Sequence, residues 1–336
     1  MNAFFVGIGG MGMSGLAKIL QATGNIIAGS DRNLDGDYCR RLQTMGVKLY
    51  PQDGTGPERF LQEHALKAET VLIVKSTAVE DSVPDIISAR RLGIREIMRS
   101  DLLAQMFNEK KGIAIGGTAG KTTTTGLVTW MLKFSGYEPS CAIGGVVSGL
   151  DTNALVGSGP HFVIEADESD GSIVKYHSYI SLITNITRDH KPLEELVELF
   201  TTFANHTVDD GKIVACIDDP QVKTLVSKLS QRAITYGFSP QADIHAENIL
   251  VHSDQISFSV SGTIFTLLLP GLHNVQNALG AIAIGQILGI PLEEMAAALR
   301  AFPGMKRRFE RVGTARGVTV IDDFAHNPAE IVAAIN

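Results

Sequence analysis

The 336-residue chain has little that would place it outside the cell or inside a membrane. Cysteine is scarce: Cys39, Cys141 and Cys216 are odd in number and widely spaced. They suggest neither a disulfide framework nor a zinc site, and a reducing cytoplasm fits them. No apolar run reaches the roughly 18 residues of a membrane span, and the opening MNAFFVGIGG lacks the basic n-region of a signal peptide. Excess positive charge is also missing. A net charge of −7 argues against nucleic acid as the main partner, because phosphate backbones are gripped by clustered Lys and Arg. No segment is of low complexity, and no Ser/His/Asp or Cys/His arrangement stands out. With 44% hydrophobic and 19% charged residues, the chain can bury real cores. Its length suggests two or three domains.

What is present is a repeated alternation of apolar strands and helical patterns, which argues an α/β fold with parallel sheets. NAFFVGIGG, NIIAGSD and TVLIVKS read as strands, interleaved with helices in MSGLAKILQATG, DYCRRLQTMGV and VPDIISARRLGI. A second unit begins near Lys110. Its strands are GIAIGG, HFVIEAD, YISLITNI and GKIVACID, and its helices start at TTTTGLV and LEELVEL. Residues 243–269 alternate in an antiparallel style, as an edge sheet would. Two helices follow, in HNVQNALGAIAIGQILG and LEEMAAALRAF. PGMKRRFERVG then reads as a linker, followed by one strand, VTVIDDF, and the first turns of a helix. The expected domains are 1–108, a Rossmann-like unit; 109–304, a P-loop ATPase-type unit with a small extra β-sheet; and 305–336, the linker and a cut-off front of a third domain.

Five stretches carry chemistry. In GGTAGKTTTT, a glycine turn joins a strand to a helix, so backbone N–H groups and the helix N-terminus converge where a phosphate would sit. Lys121 would reach the outer phosphates and the Thr122 hydroxyl would ligate Mg²⁺. The usual spelling has a glycine where Ile115 stands. In VGIGGMGMSGLA, Gly7, Gly9 and Gly12 form G-x-G-x-x-G after a strand, and Asp31 ends the next strand. That is the dinucleotide fingerprint in form, and NAD, another diphosphate or tight strand–helix packing would each satisfy it. In HFVIEADESDGS, Glu165, Asp167, Glu168 and Asp170 crowd the end of a strand. Such a carboxylate can hold Mg²⁺, and a solvated acidic loop would look the same. In LITNITRDHKP, His190 is a candidate metal ligand or a structural histidine. In GLHNVQNALGAIAIG, His273, Asn274 and Asn277 open a helix, where amides cap or read a purine edge.

Taken together and in order, FFVGIGGMGMSGLA, GTAGKTTTT, EADESD, HNVQNALGA, RRFE and DDFAHNP resemble the Mur ligase family, the ATP-dependent amide-forming enzymes of peptidoglycan synthesis, in its UDP-N-acetylmuramate–L-alanine ligase branch. The resemblance spans essentially the whole chain. It implies ATP and Mg²⁺ as cofactors and a UDP-N-acetylmuramate-type sugar and an amino acid as partners. It turns Gly7, Gly9, Gly10, Gly12, Met13, Ser14, Ser30, Asp31 and Ser76 into a UDP-sugar site. Gly117, Thr118, Ala119, Gly120, Lys121, Thr122, Thr123, Asn274, Arg308, Asp323 and His326 become nucleotide contacts. Thr122, Glu165 and His190 become metal ligands, and Lys121, Glu165 and His190 the catalytic set. The chain departs from the family pattern at Ala119, where His or Asn is usual, at Gly171-Ser172, and at Thr187-Arg188 and Lys191-Pro192 around His190. The alternatives are a recycling ligase that adds a peptide to the same sugar and, because the third domain is expected to be cut off, a non-catalytic module that binds a UDP-sugar or nucleotide. With the third domain cut off, this stretch is expected to be inactive or weakly active alone.

Overall fold

The computed structural model describes residues 1–188, 191–325 and 331–332. The chain divides into two compact units, Met1–Met106 with Ala154–Val156, and Phe107–Asn153 with Gly157–Asn336. Among the described residues no helix is long and apolar enough to cross a membrane.

The first unit alternates strictly. Its elements are β1 (Asn2–Val6), α1 (Met11–Ala22), β2 (Ile27–Asp31), α2 (Asp37–Thr44), β3 (Lys48–Pro51), α3 (Gly56–Glu63), β4 (Val71–Lys75), α4 (Pro84–Arg91) and β5 (Arg95–Met98). The strands form a parallel sheet in the order β3-β2-β1-β4-β5. β1 is almost wholly buried, as a central parallel strand covered on both faces must be. Phe4, Val6, Ala28, Tyr50, Phe60, Ile73 and Ile86 build the core on one face. β3, α3 and β5, four to eight residues long, have no counterpart in the sequence-based expectation.

Helix α5 (Arg99–Asn108) leads to the second unit. There the elements are β6 (Lys111–Gly116), α6 (Lys121–Phe134), β7 (Ser140–Val147), β8 (Thr152–Leu155), β9 (His161–Glu165), β10 (Ile180–Ile183), α7 (Leu193–Asn205), β11 (Lys212–Cys216), α8 (Pro220–Val226), β12 (Ile234–Gly237) and β13 (Ile244–His245). The main sheet runs β13-β12-β11-β10-β6-β9-β7-β8, so β6 lies between β10 and β9, parallel to both. α7 shows the expected amphipathic spacing, burying Leu196, Phe200, Phe203 and Ala204.

The chain continues through β14 (Glu247–Val251), β15 (Ile256–Val260), β16 (Thr263–Leu267), α9 (Leu272–Ile287), α10 (Leu292–Arg300), β17 (Glu310–Ala315) and β18 (Val318–Asp322). α9 is buried over most of its length, Val275, Ala278, Leu279, Ala281 and Ile282 included, and packs on α6. Two expectations are corrected. Residues 243–269 do not form one edge sheet: β13 joins the main sheet in parallel, while β14, β15 and β16 make a separate antiparallel sheet. The segment read as linker enters a strand at Glu310, and β17 pairs antiparallel with β18. Its charged and glycine-rich spelling hid a strand whose side chains are nearly all exposed.

The first unit buries an acid for which burial outweighs the hydrogen bonds it receives from Ser30 and Gly54. Asp85, in the first turn of α4, has no exposed surface, and burial pushes its carboxyl up to about 6. A carboxyl raised above its unfolded value of 3.8 binds its proton more tightly in the folded state. Its contribution to stability is therefore intact at acid pH and lost as pH rises from about 4 through about 6. Asp85→Asn should leave stability near pH 4 little changed and gain on the parent as pH rises to 7. The expected difference is about 3 kcal/mol, and urea unfolding at both pH values checks it.

Candidate functional site

The order of the main sheet brings three polar strand ends together around the loop that follows β6. Gly117 has φ +140 and an ideal Cβ on it would lie 1.9 Å from Thr184 Oγ1, so the chain turns here only without a side chain. Thr184 and Asn185 follow β10, whose Ile183 is in register with Gly116. Asn185 Oδ1 accepts from the Thr118 hydroxyl at 2.8 Å and from the Ala119 N–H at 2.9 Å, and its Nδ2 donates to the Ala119 carbonyl at 3.0 Å. Thr184 Oγ1 donates to that carbonyl at 2.7 Å, and the Thr187 N–H donates to Thr118 Oγ1 at 3.0 Å. The Gly117–Gly120 loop is thus clamped from the β10 side.

On the β9 side stand the acids. Glu165 is in register with Ile115 of β6. Its carboxylate accepts from the Thr122 hydroxyl at 3.0 and 3.1 Å and from the Gly144 N–H at 2.9 Å. Three residues on, Glu168 is buried and faces Lys121, whose Nζ is 3.0 Å from its carboxylate and 2.6 Å from the Gly117 carbonyl. Burial pushes the Glu168 carboxyl up, and the Lys121 charge pulls it back.

Beyond the start of α6 an open cleft leads along α9. Seven residues expected at a nucleotide line it: Ala119, Gly120, Thr122, Thr123, Asn274, Arg308 and Asp323. Gly117, Thr118 and Lys121 form the loop beside it. Asn274 does not cap α9, whose N-cap is Gly271. Its Nδ2 donates to the Pro270 carbonyl at 2.7 Å and its Oδ1 accepts from Asn277 Nδ2 at 3.3 Å. Asn277 Oδ1 in turn accepts from Thr124 at 3.1 Å, which ties α9 to α6. Asp323 lines the cleft, but both its oxygens accept backbone N–H groups, of Phe309 and Ala325, at 2.7 Å. It closes the β17–β18 hairpin. Burial holds the nearby His273 imidazole below its usual range, and Asp323 opposes this. His190 and His326 lie outside the described residues.

In the first unit, the glycine turn after β1 is seated on β2. The Gly7 and Ile8 N–H groups donate to the Ser30 carbonyl, and the Gly9 N–H donates to Asp31 Oδ2 at 2.7 Å. A Cβ on Gly9 would lie 2.8 Å from both Asp31 Oδ2 and Cys39 Sγ, so the close approach requires glycine. Gly10 and Gly12 are exposed, Ser76 is half-buried at the end of β4, and Met13, Ser14 and Ser30 are buried. Asp31 therefore shapes the turn through one oxygen while its other accepts the Asn33 N–H at 2.9 Å.

Sequence comparison decides the family. The Mur ligase middle domain matches residues 115–285, and the Mur ligase family catalytic domain matches residues 3–111. The chain belongs to the Mur ligase family. The glutamate ligase domain of Mur ligases matches residues 307–336. Similar Mur ligases include the UDP-N-acetylmuramate–L-alanine ligases of Rhodospirillum centenum, 39% identical over 98% of this chain and 70% of that protein, and of Carboxydothermus hydrogenoformans, 37% identical over 98% and 71%. Among solved structures, the UDP-N-acetylmuramate–alanine ligase of Thermotoga maritima has a TM-score of 0.84 at 28% identity, covering 99% of this chain and 76% of that one. A murein peptide ligase from Psychrobacter arcticus has a TM-score of 0.82 at 27% identity, covering 100% and 75%.

The clamp residues Thr184, Asn185 and Thr187 were not among the sequence-based candidates, nor was Glu168 as a partner of Lys121. Polar residues directly after the apolar run YISLI were the available signal, but their use depends on β10 lying beside β6. Asn185→Ala should strand the Ala119 N–H, while the Thr118 hydroxyl keeps Thr187 as its partner. It is expected to cost about 1–3 kcal/mol of stability and to weaken ATP binding about tenfold, with binding of UDP-sugars unchanged. Thermal denaturation and calorimetric titration check this.

Proposed function

We propose that this Mur ligase uses ATP to join L-alanine to UDP-N-acetylmuramate. The carrying observation is the clamped loop that presents Lys121 and Thr122 beside Glu165, at the mouth of a cleft lined by Asn274 and Arg308. The names of the relatives at 37–39% identity support the substrates. On this reading the glycine turn of the first unit takes the UDP-sugar, and the cleft of the second takes ATP.

A carboxylate is a poor acyl donor because its leaving group would be an oxide. Transfer of the γ-phosphoryl group breaks the bond to the bridging oxygen, forms a P–O bond to the sugar's carboxylate and releases ADP. The amine then attacks the acyl carbon, inorganic phosphate leaves, and the nitrogen gives up a proton. Neither step needs a protein nucleophile. What it needs is positive charge where the phosphoryl group moves. Lys121 and the N-terminus of α6 supply it. Thr122 and Glu165 are hard oxygen donors 3.0 Å apart, which fits Mg²⁺, an ion that keeps most of its remaining positions for water and phosphate oxygen. When bound, Mg²⁺ would neutralise phosphate charge. Among the described residues no larger cluster of His, Cys, Asp or Glu converges, and His190 is the further ligand that the family pattern supplies.

The similarity to a murein peptide ligase makes a peptide acceptor the second reading. Phosphate release by the chain with ATP, Mg²⁺ and UDP-N-acetylmuramate should depend on L-alanine, with the alanyl product seen by mass. Lys121→Ala should lower the rate by roughly 10²–10³-fold while UDP-sugar binding persists. Product only with an alanyl peptide would favour the second reading. UDP-sugar binding without any turnover would favour a binding module.

A further inference from the structure

The Lys121 ammonium is already engaged within the protein. One contact goes to the Gly117 carbonyl at 2.6 Å, and Glu168 lies 3.0 Å away through either oxygen. The pair is secluded: the lysine side chain is 15% exposed and the glutamate side chain 5%. A buried carboxylate is stable only while a cation stays beside it. The outer phosphates of a nucleotide require the same cation, so the two anions cannot both hold it at full strength.

Resting on the reading of Lys121 as the phosphate grip, we propose that Glu168 is a positioning residue that holds the Lys121 ammonium over the loop before nucleotide arrives and competes with the outer phosphates for it. Glu168 keeps the long lysine side chain in one place, which spares its ordering on binding. The same contact weakens nucleotide binding, because each nucleotide that enters leaves a buried acid with less counter-charge. Glu168 is then a determinant of ATP affinity that touches no part of ATP.

The test is calorimetric titration of the whole chain with ATP and with adenosine, without Mg²⁺, for the parent, Glu168→Gln, Lys121→Ala and the double variant. Glu168→Gln should bind ATP about tenfold more tightly and adenosine as the parent does, since adenosine has no phosphate to reach Lys121. In the Lys121→Ala background the Glu168→Gln change should have no effect on ATP. Unchanged or weaker ATP binding by Glu168→Gln, an equal shift for adenosine, or an equal shift without Lys121 would each overturn the proposal. If Lys121→Ala binds ATP like the parent, the phosphate-grip reading itself fails. If Lys121→Ala loses ATP and Glu168→Gln does not gain it, only the role of Glu168 fails. Should Glu168→Gln not fold, Glu168→Asp draws the charge back by one methylene. Tighter ATP binding by that variant supports the proposal, and unchanged or weaker binding overturns it.

Discussion

The site of the second unit depends on the seating of one four-residue loop. The Gly117–Gly120 loop is held from behind: the Thr118 N–H donates to the Asn185 carbonyl, and Asn185 and Thr184 engage the Thr118 hydroxyl and both polar backbone atoms of Ala119. The Ala119 side chain is only a methyl group, so this position is held through its backbone alone. The clamp fixes the start of α6, and so the positions of Lys121 and Thr122. Preorganisation of this kind matters because donors that are already oriented lose little on meeting the charge that develops during phosphoryl transfer.

Charge is arranged on both sides of that loop. The β10 side is neutral and hydrogen-bonding; the β9 side carries Glu165 and Glu168. The two acids differ in surroundings. Glu165 is half-buried and accepts from a hydroxyl and a backbone N–H, a setting in which a carboxylate remains available to a cation. Glu168 is buried against Lys121. Two carboxylates three residues apart at the end of β9 are thus given different work by their burial and by their partners.

The apolar runs ending in glycine turns were legible from the sequence because a buried parallel strand and the turn after it are local patterns. The order VGIGG, GIAIGG, EADESD and HNVQNALGA was therefore enough to indicate two α/β units and the family. The clamp was not legible, because Asn185 becomes part of the site only through the placement of β10 against β6, and nothing local sets strand order. Asn277 looked like a capping residue and instead ties α9 to α6. The strand β17 was hidden by its charged, exposed side chains. Asp323, expected at a nucleotide, lines the cleft, and nothing in the sequence signalled that its oxygens also close a hairpin.

The central claim is that the γ-phosphoryl group is transferred to the sugar's carboxylate at this loop. It is tested most directly with UDP-N-acetylmuramate labelled with ¹⁸O in both carboxyl oxygens. After turnover with ATP and L-alanine, one ¹⁸O should appear in the released inorganic phosphate for each amide formed, and none in AMP or ADP. Phosphate free of label, or label carried into AMP, would contradict the account.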